Sequence, residues 1–197
     1  MNQAADLQPQ FVEHPFWKFS LRVYAHKIIE QQCLFLQNEY GLNVNVLLFS
    51  AWQAIENKRL LASRDYQFIQ ETTEQWNKKV QTLRTLRHKL KNFSDSAVEA
   101  QADINEKLKN IELAAEYIEQ TMLASLSFTS QPTSLTTPFL VEQNLYHYSM
   151  HLKLEDATWA STFNETLHEV LNLKYSVASA SSVKPLNFLS KLRAWFR

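Results

Sequence analysis

A single glycine in 197 residues, beside only five prolines, leaves this chain almost without the residues that tight turns consume. Sheet proteins turn often, and their turns draw on Gly, Pro, Asn and Asp for special backbone angles. A chain this poor in glycine is therefore expected to be all-α. One cysteine, Cys33, excludes an intrachain disulfide and fits a reducing compartment. It lies in an apolar helical context with no neighbouring His or cation to lower its pKa, so it reads as a buried, inert thiol. Twenty basic and twenty acidic residues cancel, so no global field draws the protein to nucleic acid. No apolar run approaches the roughly 20 residues that span a bilayer. The opening from Met1 to Gln10 is polar and lacks the pattern of a signal peptide. These absences together predict a cytoplasmic protein. A Gly-rich phosphate loop, a nucleophile elbow and a His-Glu-x-x-His motif are also missing, which lowers the prior for an enzyme without excluding one; no cofactor is implied.

What is present is most specific between Phe16 and Trp52. Gly41 sits between two long apolar segments, where a left-handed helix cap is expected. Asn43 can start the next helix by accepting a backbone N–H. A first helix is predicted from about Pro15 to Tyr40, with Pro15 in its first turn. Its apolar residues lie nearly all round, which predicts a central helix covered on several sides. A second helix, about Val44 to Asn57, would pack back on it through Val46, Leu47, Phe49, Trp52 and Ala54.

Two long helices follow, about Asp65–Lys91 and Asp95–Leu126. Tyr66, Ile69, Thr73, Trp76, Val80, Leu83, Arg87 and Leu90 recur at spacings of three and four. Ala97, Gln101, Ile104, Leu108, Ile111, Ala115, Ile118 and Met122 repeat the pattern, which predicts a coiled-coil-like seam. Between them lies the short link Asn92–Asp95, with a capping box at Ser96 and Glu99, so the two helices should be antiparallel neighbours. Ser127 to Thr137 reads as a loop. Two further helices are expected at about Pro138–Leu152 and Glu155–Leu173. The domain organisation expected is a helical bundle over 11–175, a flexible Ser/Ala linker over 176–184, and an amphipathic C-terminal helix over 185–197.

Trp17, Phe19, Ser20, Tyr24, Cys33, Leu34, Leu36, Gln37, Gly41, Asn43, Val44, Asn45, Leu47, Leu48, Phe49 and Trp52 together form a pattern. It resembles a family of uncharacterised proteobacterial proteins, a domain of unknown function: Trp-x-Phe-Ser, Tyr, Cys-Leu-x-Leu-Gln, Gly-x-Asp-Val-Asn-x-Leu-Leu-Phe and Trp. The resemblance covers about residues 15–125 and implies a helical fold in a bacterial cytoplasm; it transfers no catalytic residue. Asn43 replaces the family's acidic residue. Lys27-Ile28 replaces a Pro-Gly of the family, which implies a straighter first helix here.

Four constellations carry chemistry. Ser20, Gln37, Asn43 and Asn45 could line a polar ligand pocket, or simply cap and stitch the turn. His147 and His151 share a helix face, and Glu165 with His168 forms Glu-x-x-His in the next helix. Facing each other, these could hold a metal, although a di-iron bundle would need further motifs; an exposed or hydrogen-bonded histidine surface is the plainer alternative. Lys78, Lys79, Arg84, Arg87, His88, Lys89 and Lys91 form a basic run. It is answered by Glu99, Asp103, Glu106, Glu112, Glu116 and Glu119 on the following helix, so a solvated, mutually screened surface is expected and nucleic-acid binding is disfavoured. At the C-terminus, Leu186, Phe188, Leu189, Leu192, Trp195 and Phe196 fall on one half of a helical wheel. Lys191 and Arg197 fall on the other half and Arg193 on the border, the pattern of an interfacial helix.

The function these features favour is a non-enzymatic interaction or adaptor protein. Its partner would be another protein, a second copy, or an anionic membrane surface met peripherally through the C-terminal helix. The alternative is a small-molecule-binding protein or enzyme that uses the polar pocket or the histidine cluster. Weak nucleic-acid binding by the basic run comes third.

Overall fold

His14 and Pro15 open the first helix, α1 (Pro15–Tyr24): Pro15 has no N–H to leave unpaired, and His14 Nδ1 accepts the Trp17 N–H at 3.2 Å. The computed structural model describes residues 14–91, 98–129 and 132–172, which form seven helices and no strand. The second helix, α2 (Lys27–Tyr40), ends on Gly41 at φ 67°, whose N–H returns to the Gln37 carbonyl. Asn43 then caps α3 (Val44–Ile55), its Oδ1 accepting N–H bonds from Asn45 at 2.9 Å and Val46 at 3.4 Å. The glycine stop and asparagine start expected from the sequence are both present.

The single long first helix is not. It breaks at Ala25–His26, where His26 is extended at φ −81°, ψ 113°. The absence of Pro-Gly does not keep it straight, and the reason lies in the phase of its apolar residues. Phe16, Phe19 and Val23 are buried on α1, and Ile29, Cys33 and Leu36 on α2. At 100° per residue these two faces would point roughly 105° apart on one continuous helix. The break turns both toward one core. What looked like apolar residues all round one helix is two one-sided helices joined out of phase. The central position falls instead to α3, where ten of twelve residues are buried. Phe16 packs on Phe49 and Trp52 with ring centroids 5.3 Å apart in each case.

The long helices α4 (Ser63–Lys91) and α5 (Val98–Ala124) pair as expected; the Trp76 indole N–H reaches the Ala115 carbonyl at 2.8 Å. On α4 the predicted seam from Tyr66 to Leu90 is buried or half-buried throughout. On α5 only part of it is, because Ile104, Ile111 and Ile118 are 46%, 51% and 42% exposed. α5 must also face α1 and α3, and this second contact rotates those three isoleucines out of the seam. The chain closes with α6 (Thr137–His151) and α7 (Thr158–Val170), which bring Leu140, Val141, Leu145, Trp159, Phe163 and Leu167 to the core.

Asn144, fully buried on α6, ties this core together. Its Nδ2 donates to the Ser50 and Arg59 carbonyls, both at 3.0 Å, and its Oδ1 accepts from the Leu61 N–H at 2.8 Å. The Tyr66 hydroxyl donates to the Asn144 carbonyl at 2.6 Å and lies 3.0 Å from Ser50 Oγ. No helix among the described residues is long and apolar enough to cross a membrane. The Asn92–Asp95 link, the Ser96 cap, the Ser/Ala linker and the helix expected over 185–197 lie outside the described residues.

Candidate ligand-binding cleft

Because α1 and α2 meet at an angle, they leave a cleft against α3 and the inner face of the α4–α5 hairpin, with a volume of about 650 Å³. That is the size of a site for a drug-sized molecule. Trp17, Ser20, Leu21 and Tyr24 come from α1, Leu34, Phe35 and Gln37 from α2, and Val44, Asn45 and Leu48 from α3. Arg84, Arg87 and His88 project from α4, and Lys109, Glu112, Leu113, Glu116 and Gln120 from α5.

One wall is an ion-pair network. Arg84 donates through Nε to Glu112 at 3.0 Å, through Nη1 to Gln37 Oε1 at 2.7 Å, and through Nη2 to Glu116. Arg87 Nε reaches the other oxygen of Glu112 at 2.7 Å. Arg84 is only 15% exposed and Glu112 10%. Arg84 and Arg87 do pair with Glu112 and Glu116 across the hairpin, turned inward rather than solvated; Lys78, Lys79 and Lys89 are exposed, as a solvated surface requires, with Lys78 bonded to Glu74 of its own helix. Burial by itself would lower the Arg84 pKa; the carboxylates of Glu116 and Glu112 more than reverse this. Burial pushes the Glu116 carboxyl above its ordinary value, against the pull of Arg84. Since α5 carboxylates take up Arg84 and the Nε of Arg87, the basic run on α4 is interrupted and offers no continuous footprint for phosphates.

Glu119 sits behind this wall, 1% exposed. Its two oxygens accept from the Asn43 and Asn45 side-chain amides, each at 2.7 Å. Gln120 Nε2 donates to Asn45 Oδ1 at 2.9 Å. Burial raises the Glu119 pKa, only partly offset by the Asn45 and Asn43 amides. Of the four residues expected to make a polar pocket, Ser20, Gln37 and Asn45 line the cleft. Asn43 does not; it caps α3 and holds Glu119. Asn45 stitches, as the plainer reading had it, but to α5 rather than across the turn. Sequence reasoning put Glu119 on the solvated face and did not single out Gln120, because both lie 74 to 76 residues from the asparagines they meet.

At the base of the cleft two oxygens are left over. Ser20 Oγ and Gln120 Oε1 are buried and have no hydrogen-bond partner among the described residues. A buried polar atom without a partner costs about 1–3 kcal/mol.

The histidine constellation is not brought together. His147 Nδ1 donates to the Leu61 carbonyl at 2.7 Å, and His151 Nε2 pairs with Gln70 Oε1 at 2.6 Å. His168 is buried on α7 while Glu165 is exposed on the same helix. Among the described residues no group of three or more His, Cys, Asp or Glu is placed to hold a metal ion. The spacing put the side chains on helices, but contacts with Leu61 and Gln70 spread them over different neighbours. Cys33 is fully buried, and burial drives its thiol pKa far upward, as an inert thiol requires.

A family model described as "Protein of unknown function (DUF2390)" matches residues 15–123, and the chain belongs to that family. The matched span contains α1 to α5 up to Leu123 and every residue of the cleft. No curated protein and no solved structure matches the chain.

Proposed function

We propose that this family member is a small-molecule-binding helical protein, with its ligand held in the cleft between α1–α2 and the hairpin. The observation that carries this reading is the pair of unpartnered oxygens, Ser20 Oγ and Gln120 Oε1, at the base of a mostly apolar cleft of about 650 Å³. Other buried polar atoms, such as Gln32 Oε1, Thr162 Oγ1 and Asn164 Oδ1, also lack a partner among the described residues, but the Ser20 and Gln120 oxygens border an open volume that a ligand can enter. Here a ligand donor would recover the cost that folding leaves outstanding. A screen of amphipathic and aromatic compounds by thermal shift tests this. Hits should raise the melting temperature of the intact protein and lose that effect in Leu113→Trp, which fills the cleft from its exposed edge. An absence of Leu113-dependent hits would refute the proposal.

A second reading is self-association or a protein partner. The exposed stripe Ile104, Ile111 and Ile118 on α5 supports it, as does the apolar and basic patterning of residues 185–197 in the sequence. Contact with an anionic membrane surface rests on that C-terminal pattern alone. Sedimentation velocity of the full chain, with and without Ile111→Glu, tests self-association; a monomer in both removes it.

A further inference from the structure

We infer that the ligand class of this cleft is an amphipathic anion, a carboxylate or similar anionic head on an apolar body. This rests on reading the cleft as a small-molecule site and goes on to name its chemistry. The cleft has three zones. Its base holds the unpartnered Ser20 and Gln120 oxygens, which a hydroxyl or N–H on the ligand's body would satisfy. Its walls are apolar, from Trp17, Leu34 and Phe35 on one side to Leu48 and Leu113 on the other. Its hairpin rim carries Arg84, Arg87, His88 and Lys109 beside Glu112 and Glu116.

The rim charges divide into committed and uncommitted groups. Arg84 is spent on Glu112, Glu116 and Gln37. Arg87 is bound only through Nε, and it shares Glu112 with Arg84, so its terminal nitrogens keep their donors. His88 lies one helical turn from Arg84, and Lys109 one turn from Glu112; both line the cleft and neither has a partner among the described residues. Three donors from facing helices thus line one apolar cleft. Facing them from α2 is a single uncommitted carboxylate, Glu30. A guanidinium that keeps two terminal nitrogens suits a carboxylate, which it can grip with parallel bonds. The apolar walls supply the area that binds the body.

The test is calorimetric titration of the full chain with three twelve-carbon probes below their micellar concentrations: dodecanoate, dodecanol and dodecyltrimethylammonium. Dodecanoate should bind at least about tenfold more tightly than either of the others at low salt, with the margin shrinking as salt screens the rim. Arg87→Gln with Lys109→Gln should erase that margin and leave dodecanol binding unchanged. Leu113→Trp should weaken all three, with unchanged circular dichroism showing that each variant is folded. Equal binding of dodecanol, or tighter binding of the ammonium, in a Leu113-dependent manner would overturn the anionic class and leave the cleft standing. If no probe binds while the screen still gives Leu113-dependent hits, the class is again wrong. If neither experiment shows binding, both proposals fall.

Discussion

Two polar constellations in this molecule are buried to similar depth and are built on opposite plans. Around Asn144 every side-chain donor and acceptor finds a partner in the backbone of α3 or of the α3–α4 connection, and the junction is closed. Around Ser20 and Gln120, helices of the same bundle leave oxygens unpartnered and an open volume beside them. Burying a polar group is costly in either place. The Asn144 junction offsets that cost with its own hydrogen bonds and so holds the fold. The cleft leaves part of the cost standing, beside an open volume of about 650 Å³.

Substitutions can press on this contrast from both sides. Asn144→Leu should be the most damaging, since it strands the Leu61 N–H and the Arg59 carbonyl in an apolar interior and takes a second donor from the Ser50 carbonyl. The expected loss is about 3–5 kcal/mol in urea unfolding, at about 1–3 kcal/mol per stranded group. A loss near zero would show that the junction is not what closes the core. Glu119→Ala comes next, at about 2–3 kcal/mol, because it leaves the Asn43 and Asn45 amides without acceptors while relieving one buried charge.

Glu119 also gives a pH signature. Its folded pKa is raised above the ordinary 4.5, so between those two values the native state holds a proton that the unfolded chain has released. Stability from this group therefore falls as pH rises through that window, by at most about 1.4 kcal/mol per pH unit. Measured against Glu119→Gln, which does not titrate, the wild type should lose ground as pH rises above 4.5 and then level off. A constant difference would mean that the carboxylate is not buried as described. The smallest effect belongs to Ser20→Ala. Removing an unpartnered hydroxyl should be neutral or should stabilise by up to about 1 kcal/mol, the opposite sign to Asn144→Leu. A clear destabilisation would show that Ser20 is part of the fold's own hydrogen bonding.

The features legible in the sequence were the local ones. Gly41 and Asn43 act through neighbours within a few residues, so composition and order sufficed to place the turn between α2 and α3. The α4 seam was legible because a helix repeats its contacts every few residues. The break at Ala25–His26 was not, since apolar residues in two phases look the same as apolar residues on all sides. The seam on α5 was half right, because Ile104, Ile111 and Ile118 obey the pattern while the helix answers to two neighbours at once. In the cleft, Ser20, Gln37 and Asn45 were found from their position near the turn. Arg84, Glu112 and Glu116 were read as surface residues, since opposite charges on antiparallel helices have the same spacing whether they face water or a cavity.

The Asn144 junction also has a kinetic consequence. Its bonds to Leu61, Arg59 and Ser50 span 83, 85 and 94 residues of chain, whereas the Arg84–Glu112 pair of the hairpin spans 28. Long loops close late, because their entropy is spent before any contact rewards it. The hairpin should therefore assemble early and the junction lock last, after the rate-limiting barrier. Asn144→Leu would then leave the refolding rate close to that of the wild type and place nearly its whole effect on unfolding. The residue that contributes most to closing the core would act as a latch on the way out and have little influence on the way in.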